Sequence, residues 1–122
     1  MRVEMLNVGW ITAPAGIWRR DESFERQIRF PIPAYVIETA TERILVDTGL
    51  HPGAPADPVG HYGNEALAPF ALEQEASIAD QLDLDALTMV VLTHLHFDHA
   101  GGLALLPPSV PVVVQRIRPL RL

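Results

Sequence analysis

The 122-residue sequence contains no cysteine, which excludes disulfides and thiolate metal sites and leaves imidazole, carboxylate and water as metal ligands. No apolar run approaches the ~20 residues that span a bilayer, and Met1 to Val8 carries Arg2 and Glu4 with no unbroken apolar core, unlike an export signal. A soluble, cytoplasmic protein is therefore expected. Basic residues are scarce, nine against fifteen acidic ones for a net charge of -6, so a nucleic-acid backbone or an anionic lipid surface would be repelled on average. Small molecules are the expected partners. Against these absences, hydrophobic residues make up 48% and charged residues 20%, a balance that builds a core. The length allows one domain or part of one.

Two apolar runs, Tyr35-Val36-Ile37 and Ile44-Leu45-Val46, flank a polar break at residues 39–43 and predict a β-hairpin whose second strand ends at Asp47. From His51 to Pro69 the chain carries Pro52, Gly53, Pro55, Pro58, Gly60, Gly63 and Pro69, too many breakers for a helix or a central strand, so a long covering loop is expected. Glu73 to Leu84 lacks breakers. Ile78 and Leu82 stand four apart in it, and Glu73, Glu75 and Asp80 can form a solvated side, which predicts an amphipathic helix. Met89-Val90-Val91-Leu92 predicts a strand buried on both faces, and Pro111 to Val114 a further strand.

Directly after the buried strand stands Thr93-His94-Leu95-His96-Phe97-Asp98-His99-Ala100-Gly101-Gly102, which places three of five histidines and a carboxylate within six residues. On a helix His94 and His96 would point about 200° apart, whereas on an extended segment residues two apart share a face and converge on one ion. Asp98 and His99 follow as the chain turns and are placed to serve a second ion beside the first, since paired ions ~3.5–4 Å apart are a recognised hydrolytic device. Gly101 and Gly102 suit a backbone that must swing sharply there. His51 and His61 lie in the Pro/Gly-rich loop and read as solvated histidines. Trp10, Trp18, Phe24, Phe30 and Tyr62 receive no role, because aromatics are commonly core or cover residues.

The segment His94 to His99 matches the HxHxDH signature of the metallo-β-lactamase superfamily, and Ile44-Leu45-Val46-Asp47-Thr48-Gly49, which ends 45 residues before His94, resembles that family's upstream strand and turn. The wording His94 to Gly102, with Val112-Val113-Val114-Gln115-Arg116 after it and Tyr35 to Thr39 before it, is most similar to N-acyl homoserine lactone lactonases, which are quorum-quenching hydrolases. The resemblance implies an α/β fold, with residues 1–122 as the N-terminal part of a single αβ/βα metallo-β-lactamase sandwich, truncated before its second half. It assigns His94 and His96 to a first metal and Asp98 and His99 to a second, two Zn with Fe, Mn or Co as alternatives. Asp98 would also act catalytically, passing a proton to the departing alkoxide of a lactone or ester opened by metal-bound hydroxide. Asp47 would accept the free ring N–H of a ligating histidine and fix its orientation.

The rival readings are another hydrolase of this fold, acting on thioesters, β-lactams or phosphodiesters, and a non-catalytic truncated remnant. The resemblance requires further ligands downstream, yet no Asp, Glu or His follows His99. The chain alone is therefore expected to be inactive, to expose one sheet face to water and to aggregate or self-associate.

Overall fold

The computed structural model describes residues 1–116. Among them a mixed sheet runs in the spatial order β4-β1-β2-β3-β5-β6. Strand β1 (Arg2–Pro14) pairs antiparallel with β2 (Gln27–Glu38), which pairs antiparallel with β3 (Arg43–Val46). Strand β5 (Met89–Leu92) lies parallel to β3, and β6 (Val112–Val114) parallel to β5. The short β4 (Ala71–Glu73) closes the other edge against β1. The expected hairpin is present and longer than its apolar runs, and the strand expected at Pro111 to Val114 is β6.

Strand β1 has no counterpart in the sequence reading, and its bulge explains why. Leu6 and Val8 point to the core, the register with β2 then shifts between Asn7 and Trp10, and burial resumes at Ile11 and Ala13. The Asn7 side chain accepts the Gly9 N–H at 3.0 Å, with Gly9 at φ 146°. One inserted residue thus breaks the period of two that betrays a strand.

The helix expected over Glu73 to Leu84 is replaced by several pieces. Glu73 belongs to β4, and α2 is a single turn, Ile78–Gln81. Asp80 is exposed, as expected of a solvated side, and its carboxylate also accepts the Ser77 N–H at 2.9 Å and caps that turn. Gln74 donates to the carbonyls of Val8 and Leu50, both at 2.9 Å, and so ties the segment to the sheet before a helix can begin. The breaker-rich loop does contain one helix, α1 (Pro58–Tyr62), which uses Pro58 at its start and Gly63 at φ 64° at its end. Those positions suit Pro and Gly, so breakers delimit the turn instead of forbidding it.

The core fills one face of the sheet. Leu6, Ala34, Val36, Leu45 and Val90 point into it and meet Leu50, Ile78 and Leu87 from the covering segments. On the other pleat of the same strands stand Val3 and Met5, Tyr35 and Ile37, Ile44 and Val46, Met89 and Val91, and Val113. Val3 and Met5 are 57% and 67% exposed. Strand β5 is accordingly buried on one face, at Val90 and Leu92, while Met89 and Val91 are only half-buried. That corrects the expectation of a strand covered on both sides.

Candidate metal centre

The site grows from two adjacent strand ends. Strand β3 ends at Val46 and β5 at Leu92, neighbours in a parallel pair, so the segments that follow leave the sheet side by side, as is common for sites at the carboxyl ends of parallel strands. After β3, Asp47 adopts the left-handed conformation at φ 64° and Gly49 follows at φ 71°. Asp tolerates this region better than most side chains. Its N–H donates to the Val91 carbonyl at 2.9 Å, which stitches the two strand ends together.

The Asp47 carboxylate, 5% exposed, is saturated by donors. It accepts the Thr93 N–H at 2.8 Å, the Thr93 hydroxyl at 2.8 Å and Nδ1–H of His99 at 2.8 Å. Because the one Thr93 hydroxyl proton is committed to Asp47, the contact of 2.9 Å between Thr93 Oγ1 and His94 Nδ1 is donated by the imidazole. Both Nδ1 atoms thus carry hydrogens, and Nε2 of His94 is free to bind a metal.

Beyond Thr93 the chain stays non-helical through His96, whose φ of -65° and ψ of 151° are extended, then enters α3 (Phe97–Ala100). One ligand atom each from His94, His96 and Asp98 lies within 4.8 Å of the others, and the rings of His94 and His96 are 4.7 Å apart. The structure therefore brings those three residues together most tightly. His99 stands next to them, its ring 4.2 Å from that of His94 and its Nε2 3.3 Å from the Asp98 carboxylate. His99 lies beside that trio, between the Asp98 and Asp47 carboxylates.

Charges follow the geometry. The Asp98 hydrogen bond, opposed by burial and reinforced by Asp47, raises His99 from its ordinary 6.5 to about 9. Burial works to raise the Asp98 carboxyl, but the hydrogen bond and charge of His99, with the charge of His94, bring it below its ordinary value. An imidazole pair and a depressed carboxylate form a donor set that suits Zn or a similar divalent ion.

The turn carrying these side chains is held against the β3 turn by contacts that only small residues permit. Thr48, fully buried, donates its hydroxyl to the His99 carbonyl at 2.7 Å and accepts the Gly102 N–H at 3.0 Å. A Cβ on Gly101 would meet the Gly49 carbonyl at 2.7 Å, and one on Gly102 the Thr48 carbonyl at 2.5 Å. Gly101 has φ -63° and Gly102 φ -85°, so these glycines are needed for close approach and not for an unusual backbone.

A cleft of about 190 Å³ opens beside the cluster, lined by Ile11, Trp18, Phe70, His96, Phe97 and Asp98. Trp18 packs edge-on against Phe30 and Phe70, and Phe70 edge-on against Phe97. The sequence gives no periodic signal for this wall, because its residues come from four separate segments. His51 is half-buried instead of solvated, stacked on the exposed His61 at 4.7 Å, and Tyr62 packs on Phe97 at 5.3 Å. Burial raises the Tyr62 hydroxyl above its ordinary value.

The sequence matches the metallo-β-lactamase superfamily over residues 28–121, and the chain belongs to that family. It is 38% identical over 86 residues to N-acyl homoserine lactonase AiiB of Rhizobium rhizogenes, covering 62% of this chain and 30% of that protein. To N-acyl homoserine lactonase AttM of Azorhizobium caulinodans it is 25% identical, covering 95% of this chain and 46% of that protein. A solved N-acyl homoserine lactone hydrolase, with the product N-hexanoyl-L-homoserine at its catalytic metal center, superposes with a TM-score of 0.81 at 25% identity, over 93% of this chain and 48% of that one. The chain spans about half or less of the length of these relatives. No helix of the described residues is long and apolar enough to cross a membrane.

Proposed function

We propose that this chain carries the metal-binding N-terminal half of a hydrolase that opens lactones of the N-acyl homoserine type. The observation that carries the reading is the His94, His96 and Asp98 cluster at the mouth of an apolar cleft, within a fold shared with lactonases. His94 and His96 would hold the ion through imidazole nitrogens, with Asp98 and His99 completing this chain's share of the ligands. A divalent ion there supplies Lewis acidity, polarising an ester carbonyl and acidifying water toward a pKa of ~7.

The chain's own residues do the rest. Asp98 takes up the proton of the attacking water and delivers it to the ring oxygen as the C–O bond breaks, so that the product is a hydroxy acid. Asp47 and Thr93 hold His99 and His94 in the orientations that leave Nε2 directed at the cluster. Trp18, Phe70 and Phe97 give an acyl chain an apolar surface out of water.

The test joins this chain to the second half of a lactonase relative and follows acid release from N-acyl homoserine lactones. Ring opening by the joined protein, abolished by Asp98→Asn, is expected, with no turnover by the chain alone. A joined protein that folds and binds zinc yet leaves lactones intact contradicts the reading.

A further inference from the structure

Trp18 is the one side chain common to the walls of two cavities. On one side lies the cleft of about 190 Å³ beside His96 and Asp98, and on the other a cavity of about 130 Å³ lined by Ala15, Ile28 and the side chains of Arg19, Glu22 and Arg26. We propose that Trp18 sets the chain-length specificity of the acyl site, as an end wall that stops the ligand's apolar chain in the first cavity and closes the second to it. This assignment rests on the lactonase reading given above.

The sheet gives the two cavities a continuous apolar floor. Ile11 stands opposite Phe30 and Ala13 opposite Ile28, and residues two apart share a face, so the second pair follows the first about 7 Å farther along the strands. Only the indole interrupts that path, edge-on to Phe30 at 5.1 Å and to Phe70 at 5.7 Å. Its turn is held at several points: Ala15 N–H donates to the Arg26 carbonyl at 2.8 Å, Gly16 N–H to the Ser23 carbonyl at 3.0 Å and Trp18 N–H to the Ala15 carbonyl at 3.1 Å. A Cβ on Gly16 would meet the Phe24 ring at 2.6 Å, so Phe24 packs directly on that turn. A wall fixed in this way discriminates by excluding length. The rim charges of the second cavity are already paired, Glu22 with Arg26 at 3.0 Å and Arg19 with Asp21 at 3.7 Å, so an opened wall would admit an uncharged apolar chain and not an anion.

Calorimetric titration of the zinc-loaded 122-residue chain with N-acyl-L-homoserines of about four to fourteen acyl carbons, the hydroxy acids that lactone opening releases, tests the proposal. The variants are Trp18→Leu, which keeps an apolar contact with Phe30 and Phe70, and Trp18→Leu/Ile28→Trp, which refills the second cavity; circular dichroism checks that each keeps the parent fold. Each buried methylene adds roughly four-fold in affinity, and in the parent that gain is expected to stop at the length that reaches Trp18. In Trp18→Leu it should continue for about two or more further methylenes, roughly ten-fold or more for the longer chains, with short chains unchanged and the gain cancelled by Ile28→Trp. A parent whose affinity rises through the longest chain, parallel length profiles in parent and Trp18→Leu, or a gain that survives Ile28→Trp would overturn the role of Trp18 and leave the lactonase reading standing. A parent that binds no member of the series would overturn both.

Discussion

Three donors converge on Asp47, and the orientation of two histidines depends on them. Asn at this position would keep the left-handed backbone, which Asn also tolerates, but its amide nitrogen would turn a donor toward either Thr93 or His99. We expect Asp47→Asn to weaken zinc binding by roughly ten- to a hundred-fold with little change in folded content, as read by competition against a chromophoric chelator. Unchanged affinity would remove Asp47 from the site. The convergence of His94 and His96 was legible in the sequence because residues two apart on an extended segment share a face, whereas Asp47 entered through the family resemblance alone. Thr48 and Thr93 were not legible, since a hydroxyl gives no periodic or ligand signal until its partners are folded against it.

His99 also sets a pH dependence for the metal-free chain. Its folded pKa of about 9 lies above its ordinary 6.5, so the stabilisation is fully present below about pH 6.5, declines as pH rises, and is gone above about 9. At the acid end, the contribution of Asp98, whose folded pKa is lowered, is lost as pH falls through that value. Urea midpoints of chelator-treated protein should therefore fall between pH 6 and 10, and His99→Gln should flatten the decline. A midpoint that rises over this range contradicts the charge arrangement.

At the level of elements, the site depends on how tightly the turn after β5 rests on the turn after β3. Alanine adopts the backbone of Gly102 without strain, but its Cβ would stand 2.5 Å from the Thr48 carbonyl. Gly102→Ala should thus cost about 1–3 kcal/mol through overpacking, measurable as a lowered urea midpoint, and should loosen zinc binding because His99 rides on the same turn. A variant as stable as the parent would show that the turns are not in close contact. The hairpin of β2 and β3 was legible from two apolar runs flanking a polar break. Strand β1 was hidden by the bulge at Gly9, and the helix expected at residues 73–84 yielded to contacts of Gln74 with Val8 and Leu50, which no local pattern records. Ser77 and Asp80 form the capping box at the start of α2.

For the whole molecule, the fold presents one covered and one uncovered sheet face, with the candidate metal centre at the carboxyl ends of β3 and β5. The expectation of a face open to water came from the family resemblance and not from a pattern in the strands. The cleft was not legible, because Ile11, Trp18, Phe70 and Phe97 meet only in three dimensions. Residues 117–122 lie outside the described residues.

The central claim is that His94, His96 and Asp98 form a divalent-ion site. Calorimetric titration of zinc into the metal-free chain and its His94→Ala/His96→Ala variant tests it most directly. The account predicts saturable, stoichiometric binding by the parent and its loss in the variant at unchanged folded content; equal stoichiometry and affinity in the two proteins would contradict it.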